Sequence, residues 1–152
     1  MKTPHIRQAV FSDLEELAEL FNQYREFQGQ TCDLPAARDF LKARFDHGES
    51  IIFVAHVNAA PTGFAQLYPS WSSTALARVF VLNDLFVVPR GRRTGVASGL
   101  LAAAERLQSI AWVYEDARLN RGDVAAVVDR PDELPRLAAV GAALEVNAPC
   151  PA

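Results

Sequence analysis

Polar and apolar residues alternate from His5 to Phe11, which predicts a first strand. From Leu14 the period changes. Leu14, Leu17, Ala18, Phe21, Tyr24 and Arg25 recur at helical spacing, as on one face of an amphipathic helix. Ser12, followed three residues later by Glu15, reads as a capping box at its start, and Gln28-Gly29 as its frayed end. Asp33-Leu34-Pro35 opens a second helix, with Asp33 as cap and Pro35 tolerated in the first turn. Phe40, Leu41, Arg44 and Phe45 continue it and Gly48 ends it, so His47 reads as a C-terminal cation or cap. Ile51–Val57 and Gly63–Tyr68 are strand-like and flank a turn at Asn58–Gly63, which predicts a hairpin. A polar loop from Pro69 to Thr74 carries Trp71. A third strand of this meander follows, Arg78–Val88. From Val96 to about Gln108 the helical period returns, with Val96, Leu100, Leu101, Ala104 and Leu107 on the apolar face.

The predicted order is therefore β-α-α-β-β-β-α, an α/β (α+β) arrangement without internal repeats. Past Gln108 the pattern is less regular. Ile110–Tyr114 and Val124–Val128 read as short strands, Arg136–Val146 as a short helix, and residues 147–152 as a frayed tail. The 152 residues suit one domain. Residues 1–108 form its recognisable part and 109–152 a divergent one.

Charge narrows the partners. Residues 1–108 hold 11 basic and 11 acidic side chains, and the remainder holds 4 and 7, so no basic excess marks a nucleic-acid binder. Cys32 and Cys150 are too few for a disulfide framework and match no zinc spacing. Cys32 reads as a small apolar filler. His56, at a strand end with no second ligand spaced to it, does not read as a metal site. The first residues lack an apolar leader core, and no uncharged apolar run reaches the roughly 20 residues of a membrane span. The expectation is a cytoplasmic protein with no metal, no nucleic acid and no membrane partner.

The most informative stretch is Leu82–Leu101. It delivers a buried strand into a basic, glycine-containing turn and then a helix. The first N–H groups of a helix lack intrahelical partners, and the helix dipole adds positive character there. Gly95 permits close approach of the backbone. Such a turn is an anion site, although spacing alone leaves an ordinary turn with solvated arginines open.

Arg92-Arg93-Thr94-Gly95-Val96-Ala97, after Leu85-Phe86-Val87-Val88-Pro89 and the preceding element order, resembles the GNAT family of acyl-CoA N-acyltransferases over about residues 5–108. The resemblance implies a mixed, mostly antiparallel sheet flanked by helices. It implies acetyl-CoA as co-substrate, with its pyrophosphate held by Arg92, Arg93, Thr94, Gly95, Val96, Ala97 and Ser98. Leu85, Phe86 and Val87 would offer backbone groups to the pantetheine arm, as an edge splayed by a bulge can. Asp84 stands where the family often carries a carboxylate base. Asn83 is a further candidate to contact the acceptor, and it would face the side opposite to Asp84 if the strand is regular, so only one of the pair can face the acceptor. The alternative for Asp84 is pairing with an arginine or capping a loop. Tyr24, Phe27, Gln66, Tyr68 and Trp71 are candidates to line the acceptor site, with core packing or exposure as the alternative for each. The resemblance also implies an amine acceptor, either a small molecule or a protein, and a homodimer.

The tail departs from the family, which usually continues with a strand, an Asn-containing turn and a helix bearing Leu-Tyr. No tyrosine follows Tyr114, so no general acid can be assigned there. One account is a degenerate acyl-CoA-binding module without transfer activity. Another is a tail read out of frame, which the nucleotide sequence tests. A phosphate-binding nucleotide domain is disfavoured, because no Gly-Lys-Ser/Thr follows the turn.

Overall fold

The computed structural model describes residues 3–73, 76–107 and 110–111. Strand β1 (His5–Gln8) leads through a 3₁₀ turn (Phe11–Asp13) into helix α1 (Leu14–Phe27), followed by α2 (Leu34–His47). Strands β2 (Ile51–Val57), β3 (Ala60–Ser72) and β4 (Ala77–Val87) form a meander. A second 3₁₀ turn (Pro89–Gly91), helix α3 (Val96–Glu105) and a short β5 (Ile110–Ala111) complete the described chain. The sheet order is β1-β2-β3-β4-β5. The first four strands are antiparallel neighbours, and β5 pairs parallel with β4. This is the mixed, mostly antiparallel sheet that the family resemblance implies. The regions read as Val124–Val128 and Arg136–Val146 lie outside the described residues.

Helices cover both faces of the sheet. Leu14, Leu17, Leu20 and Phe21 of α1 and Ala37 and Leu41 of α2 pack with Val54, Phe64 and Phe86 of the strands. On the opposite face Val96, Leu100, Leu101, Ala103 and Ala104 of α3 pack with Phe53, Ala55, Ala65, Leu67 and Leu82. The alternation of Phe53 with Val54, and of Phe64 with Ala65, is the strand period that sends neighbours to opposite layers. A fully buried aliphatic or aromatic side chain contributes about 1.5–3 kcal/mol, so both layers hold the sheet firmly.

Several local expectations change. The cap of α1 is not the Ser12–Glu15 box. Asp13 accepts the Val10 N–H at 2.8 Å and pairs bidentately with Arg7 at 2.7 and 2.8 Å, while Glu15 turns outward to Arg38. With Glu15 drawn to Arg38, the box lacks its reciprocal carboxylate, and the Asp13 carboxylate closes the turn on the Val10 N–H instead. At α2 the expected cap forms: Asp33 Oδ1 accepts the Ala36 N–H at 3.0 Å, and Gly48 ends the helix at φ 59°. The His47 ring meets the Ala43 carbonyl oxygen at 2.9 Å, as a C-terminal cap does. Cys32 is exposed rather than a filler, and accepts from the Asn22 amide at 3.2 Å. His56 pairs with Glu16 at 2.7 Å.

The β2–β3 turn is only Asn58-Ala59, both at positive φ (55° and 63°), as tight two-residue hairpins require. Strand β3 accordingly starts at Ala60. It also runs on through Pro69, Ser70 and Trp71, which pair with Phe80, Val79 and Arg78 of β4. The expected loop is therefore strand from Pro69 to Ser72. Trp71 is 71% exposed near the hairpin tip, away from Asp84, with the Arg78 guanidinium 5.6 Å from its ring centre.

Candidate active site

Strand β4 joins the two halves of the site. It carries Asp84 in its middle and ends at Val87, beside the turn. Opposite it, Gln66 pairs with Asp84 while Leu67 pairs with Leu82. Asn83 is thus an extra residue on β4, a β-bulge. The bulge overturns the expectation that Asn83 and Asp84 face opposite ways. The Asn83 amide donates to Asp84 Oδ1 at 3.1 Å, and the Gln66 amide donates to Oδ2 at 2.8 Å. Ser50 Oγ in turn donates to Gln66 Oε1 at 2.9 Å. Reversing the Gln66 amide would set its oxygen against the Asp84 carboxylate, so the network defines its orientation.

Asp84 is 7% exposed and Gln66 fully buried. No cation pairs with Asp84 among the described residues, so none of their arginines is the partner weighed as its alternative. A carboxylate has about four lone-pair positions, and the two amides occupy two. Tyr68, two residues beyond Gln66 on β3, has its phenol pushed up to about 12. Burial is the main cause, the Asp84 charge adds to it, and Arg44 opposes both. The phenol therefore stays protonated at neutral pH. Ser50 and Arg44 were not singled out from sequence. Each meets its partner across β2–β3 or from α2 to β3, at separations that carry no local signal.

Aromatic rings from α1 lie against the same part of the sheet. Tyr24 packs on Phe64 and Phe86 at 5.8 and 6.0 Å between ring centres, and Phe27 on Phe86 at 6.2 Å. Tyr24 thus takes the core-packing role. Phe27 remains 49% exposed, with the Arg92 guanidinium 5.4 Å from its ring centre. This contact ties the end of α1 to the turn after β4.

The turn is built mostly from backbone. Arg93 and Gly95 both adopt positive φ, 60° and 81°. Thr94 Oγ1 donates to the Gly91 carbonyl at 2.6 Å. The first bond of α3 runs from the Gly99 N–H to the Gly95 carbonyl at 2.9 Å, so the N–H groups of Val96 and Ala97 precede the helical ladder. A Cβ placed on Gly95 would meet nothing within 4 Å. Arg92 and Arg93 are exposed, and Ser98 is half-buried in the first turn of α3. This combination of open space, positive φ and leading N–H groups is what an anion such as a pyrophosphate requires. Leu85, Phe86 and Val87 pair with Ala65, Phe64 and Gly63 on one side, and β5 pairs only with Phe80 and Val81 on the other. Among the described residues the far edge of Leu85–Val87 has no strand partner, while Arg92 Nε reaches the Val87 carbonyl at 3.3 Å.

Known proteins are similar to this chain in sequence and in fold. Residues 14–111 match the Acetyltransferase (GNAT) family. An uncharacterized N-acetyltransferase of Bacillus subtilis (strain 168), YhfO, is 52% identical over 101 residues, covering 66% of this chain and 68% of the relative. A crystal structure of a probable acetyltransferase has 34% identity and a TM-score of 0.71, covering 84% of this chain and 91% of the other. A predicted acetyltransferase from Clostridium acetobutylicum, solved with acetyl-CoA, shares the fold at a TM-score of 0.61 and 15% identity, covering 80% and 86%. The turn after β4, the bulged strand that leads into it and these similarities together make the chain a member of the GNAT acetyltransferase family.

Proposed function

We propose that this protein transfers an acetyl group from acetyl-CoA to a primary amine of a small molecule or a protein. The supporting observation is that one strand serves both ends of the reaction: β4 carries a buried carboxylate with no cation partner among the described residues and ends beside an open turn suited to an anion. Acetyl-CoA, when bound, supplies the acyl thioester. The backbone N–H groups of Thr94, Gly95, Val96 and Ala97, with Ser98 in the first turn and the Arg92 and Arg93 guanidinium groups, hold its pyrophosphate. The free edge of Leu85, Phe86 and Val87 offers hydrogen bonds to the pantetheine arm.

The amine must be neutral to attack, so a base has to take its proton. Asp84 takes it on a carboxylate oxygen, directly or through a water molecule. The Gln66 and Asn83 amides hold that carboxylate in place without adding a positive charge. Tyr68 and Phe27 border the acceptor, and Tyr24 supports the wall from behind.

Isothermal titration of acetyl-CoA into the full chain, followed by thiol release with a panel of amines, tests this reading. Binding with amine-dependent thiol release is expected. Gly95→Glu, which puts a negative side chain into the open space of the turn, should weaken binding at least about 100-fold. Unchanged affinity in that variant would refute the cradle, and binding without turnover on any amine would refute transfer.

A further inference from the structure

A line of hydrogen bonds runs outward from Asp84 to the junction between α2 and β2. The Gln66 amide donates to Asp84 Oδ2 at 2.8 Å, and Ser50 Oγ donates to Gln66 Oε1 at 2.9 Å. Gln66 is fully buried, so both ends of its amide depend on protein partners. Asp84 meets the N–H end and Ser50 meets the oxygen end. Without the Ser50 hydroxyl the amide oxygen would lack this donor, which favours a rotation of the Gln66 side chain away from Asp84.

Ser50 is itself held from two sides. It stands two residues before Ile52, the register partner of Gln66, which puts it diagonally across from that side chain on the same face. On the helix side, Arg44 grips the preceding residue twice. Arg44 Nε donates to Glu49 Oε2 at 2.6 Å, and the Arg44 carbonyl accepts the Glu49 N–H at 3.0 Å. The Arg44 guanidinium also lies 4.4 Å from the Phe40 ring centre and acts on the Tyr68 phenol, so the junction is tied both to α2 and to β3. A hydroxyl fixed in this way does not have to be ordered again at each turnover, and small errors in the placement of a reacting group are costly.

We infer that Ser50 is a positioning residue for Asp84: its hydroxyl holds the Gln66 amide, and the amide holds the carboxylate. Ser50 acts through Gln66 and takes no part in the proton transfer itself. That Asp84 accepts a proton rests on the proposed acetyl transfer, whereas the coupling of Ser50 to Asp84 does not.

The test has two arms, both on the full chain. The first is a double-mutant cycle, read by denaturant unfolding, that combines Ser50→Ala with Asp84→Asn. Because the two residues share Gln66 as a partner, the unfolding constant of the double variant should depart from the product of the single changes by at least about 2-fold. A double variant that matches the product overturns the inference. The second arm measures turnover with acetyl-CoA and an amine from the panel. Ser50→Ala should lower kcat by about 3- to 10-fold, the worth of one neutral hydrogen bond, at an unchanged KM for acetyl-CoA. Ser50→Thr keeps the hydroxyl and should restore most of the loss. Asp13→Asn, which loses stability away from the site, should keep its kcat and so controls for destabilisation alone. Full kcat in Ser50→Ala, no rescue by Ser50→Thr, or a rise in the KM for acetyl-CoA as large as the fall in kcat overturns the inference. A wild-type protein without turnover on any amine, but with coupling in the first arm, defeats acetyl transfer and leaves the positioning of Asp84 by Ser50 standing.

Discussion

Asp13 and Asp84 are equally buried, each 7% exposed, and they sit in opposite chemistry. Asp13, at the corner between β1 and α1, accepts two bonds from the Arg7 guanidinium and one from the Val10 N–H. The Arg7 hydrogen bond is the main cause that holds its carboxyl below the usual carboxylate range, with the Val10 N–H adding to it against burial. Asp84, in the middle of β4, accepts from two neutral amides and, among the described residues, from no cation. A carboxylate locked to a guanidinium is a poor proton acceptor, because protonation would break the pair. One held by amides keeps its orientation and has lone pairs to spare. Burial by itself therefore does not separate the two carboxylates. The identity of their donors does.

The largest effect that would break this contrast comes from Asp84→Asn. On the proposed function it should lower kcat by about 10²- to 10⁴-fold, the usual worth of a general base. The affinity for acetyl-CoA should hold, as read by titration. Comparable losses in turnover and in affinity would make Asp84 as structural as Asp13.

Gln66→Leu comes next. It removes the donor to Asp84 Oδ2 and leaves Ser50 Oγ without its acceptor, and stability should fall by about 1–3 kcal/mol on denaturant unfolding. Turnover should fall by roughly 10-fold as the carboxylate loses one of its two anchors, a charge-assisted bond of about 1.5 kcal/mol. Full turnover in a folded Gln66→Leu protein would show that Asn83 alone suffices to orient the base.

Asp13→Asn is the counterpart at the other end of the contrast. It should cost about 1–2 kcal/mol of stability and leave turnover unchanged. A loss of kcat would remove the distinction between the two sites.

The smallest effect is the pH dependence of that cost. Because the folded protein holds the Asp13 carboxyl below its ordinary value, its stabilisation is complete above the ordinary carboxylate value. It is lost as pH falls through the folded one. The gap in Tm between wild type and Asp13→Asn should accordingly be full at neutral pH and close in acid. A gap independent of pH would show that the carboxylate charge does not supply the stabilisation.

The two halves of the candidate site were not equally legible from sequence. The turn after β4 could be read because its determinants are local. Pro89 stops a strand, Gly95 tolerates φ 81°, and Val96 begins a helical period, all within a few residues. The environment of Asp84 could not be read in the same way. Strand alternation puts Asn83 and Asp84 on opposite sides, and only the shift in pairing between Gln66 and Leu67 brings the Asn83 amide onto the carboxylate. The Ser50–Gln66 contact likewise depends on where β2 begins beside β3. The same limit explains β3 itself. Pro69 and Ser70 carry loop propensity, yet pairing with Phe80 and Val79 keeps them in a strand.

What the sequence determined by itself is the order of elements up to α3, the existence of a hairpin between β2 and β3, the cap at Asp33 and the glycine turn that leads into α3. Each follows from backbone preferences and hydrophobic period over a short span. The tertiary structure decided which carboxylate is neutralised by a cation and which is held by amides. It also decided that the Arg25 Nη1 is buried and has no hydrogen-bond partner among the described residues. These facts depend on cross-strand register and on the packing of α1 against α2. Both arise only when residues distant in the chain compete for the same donors and the same buried space.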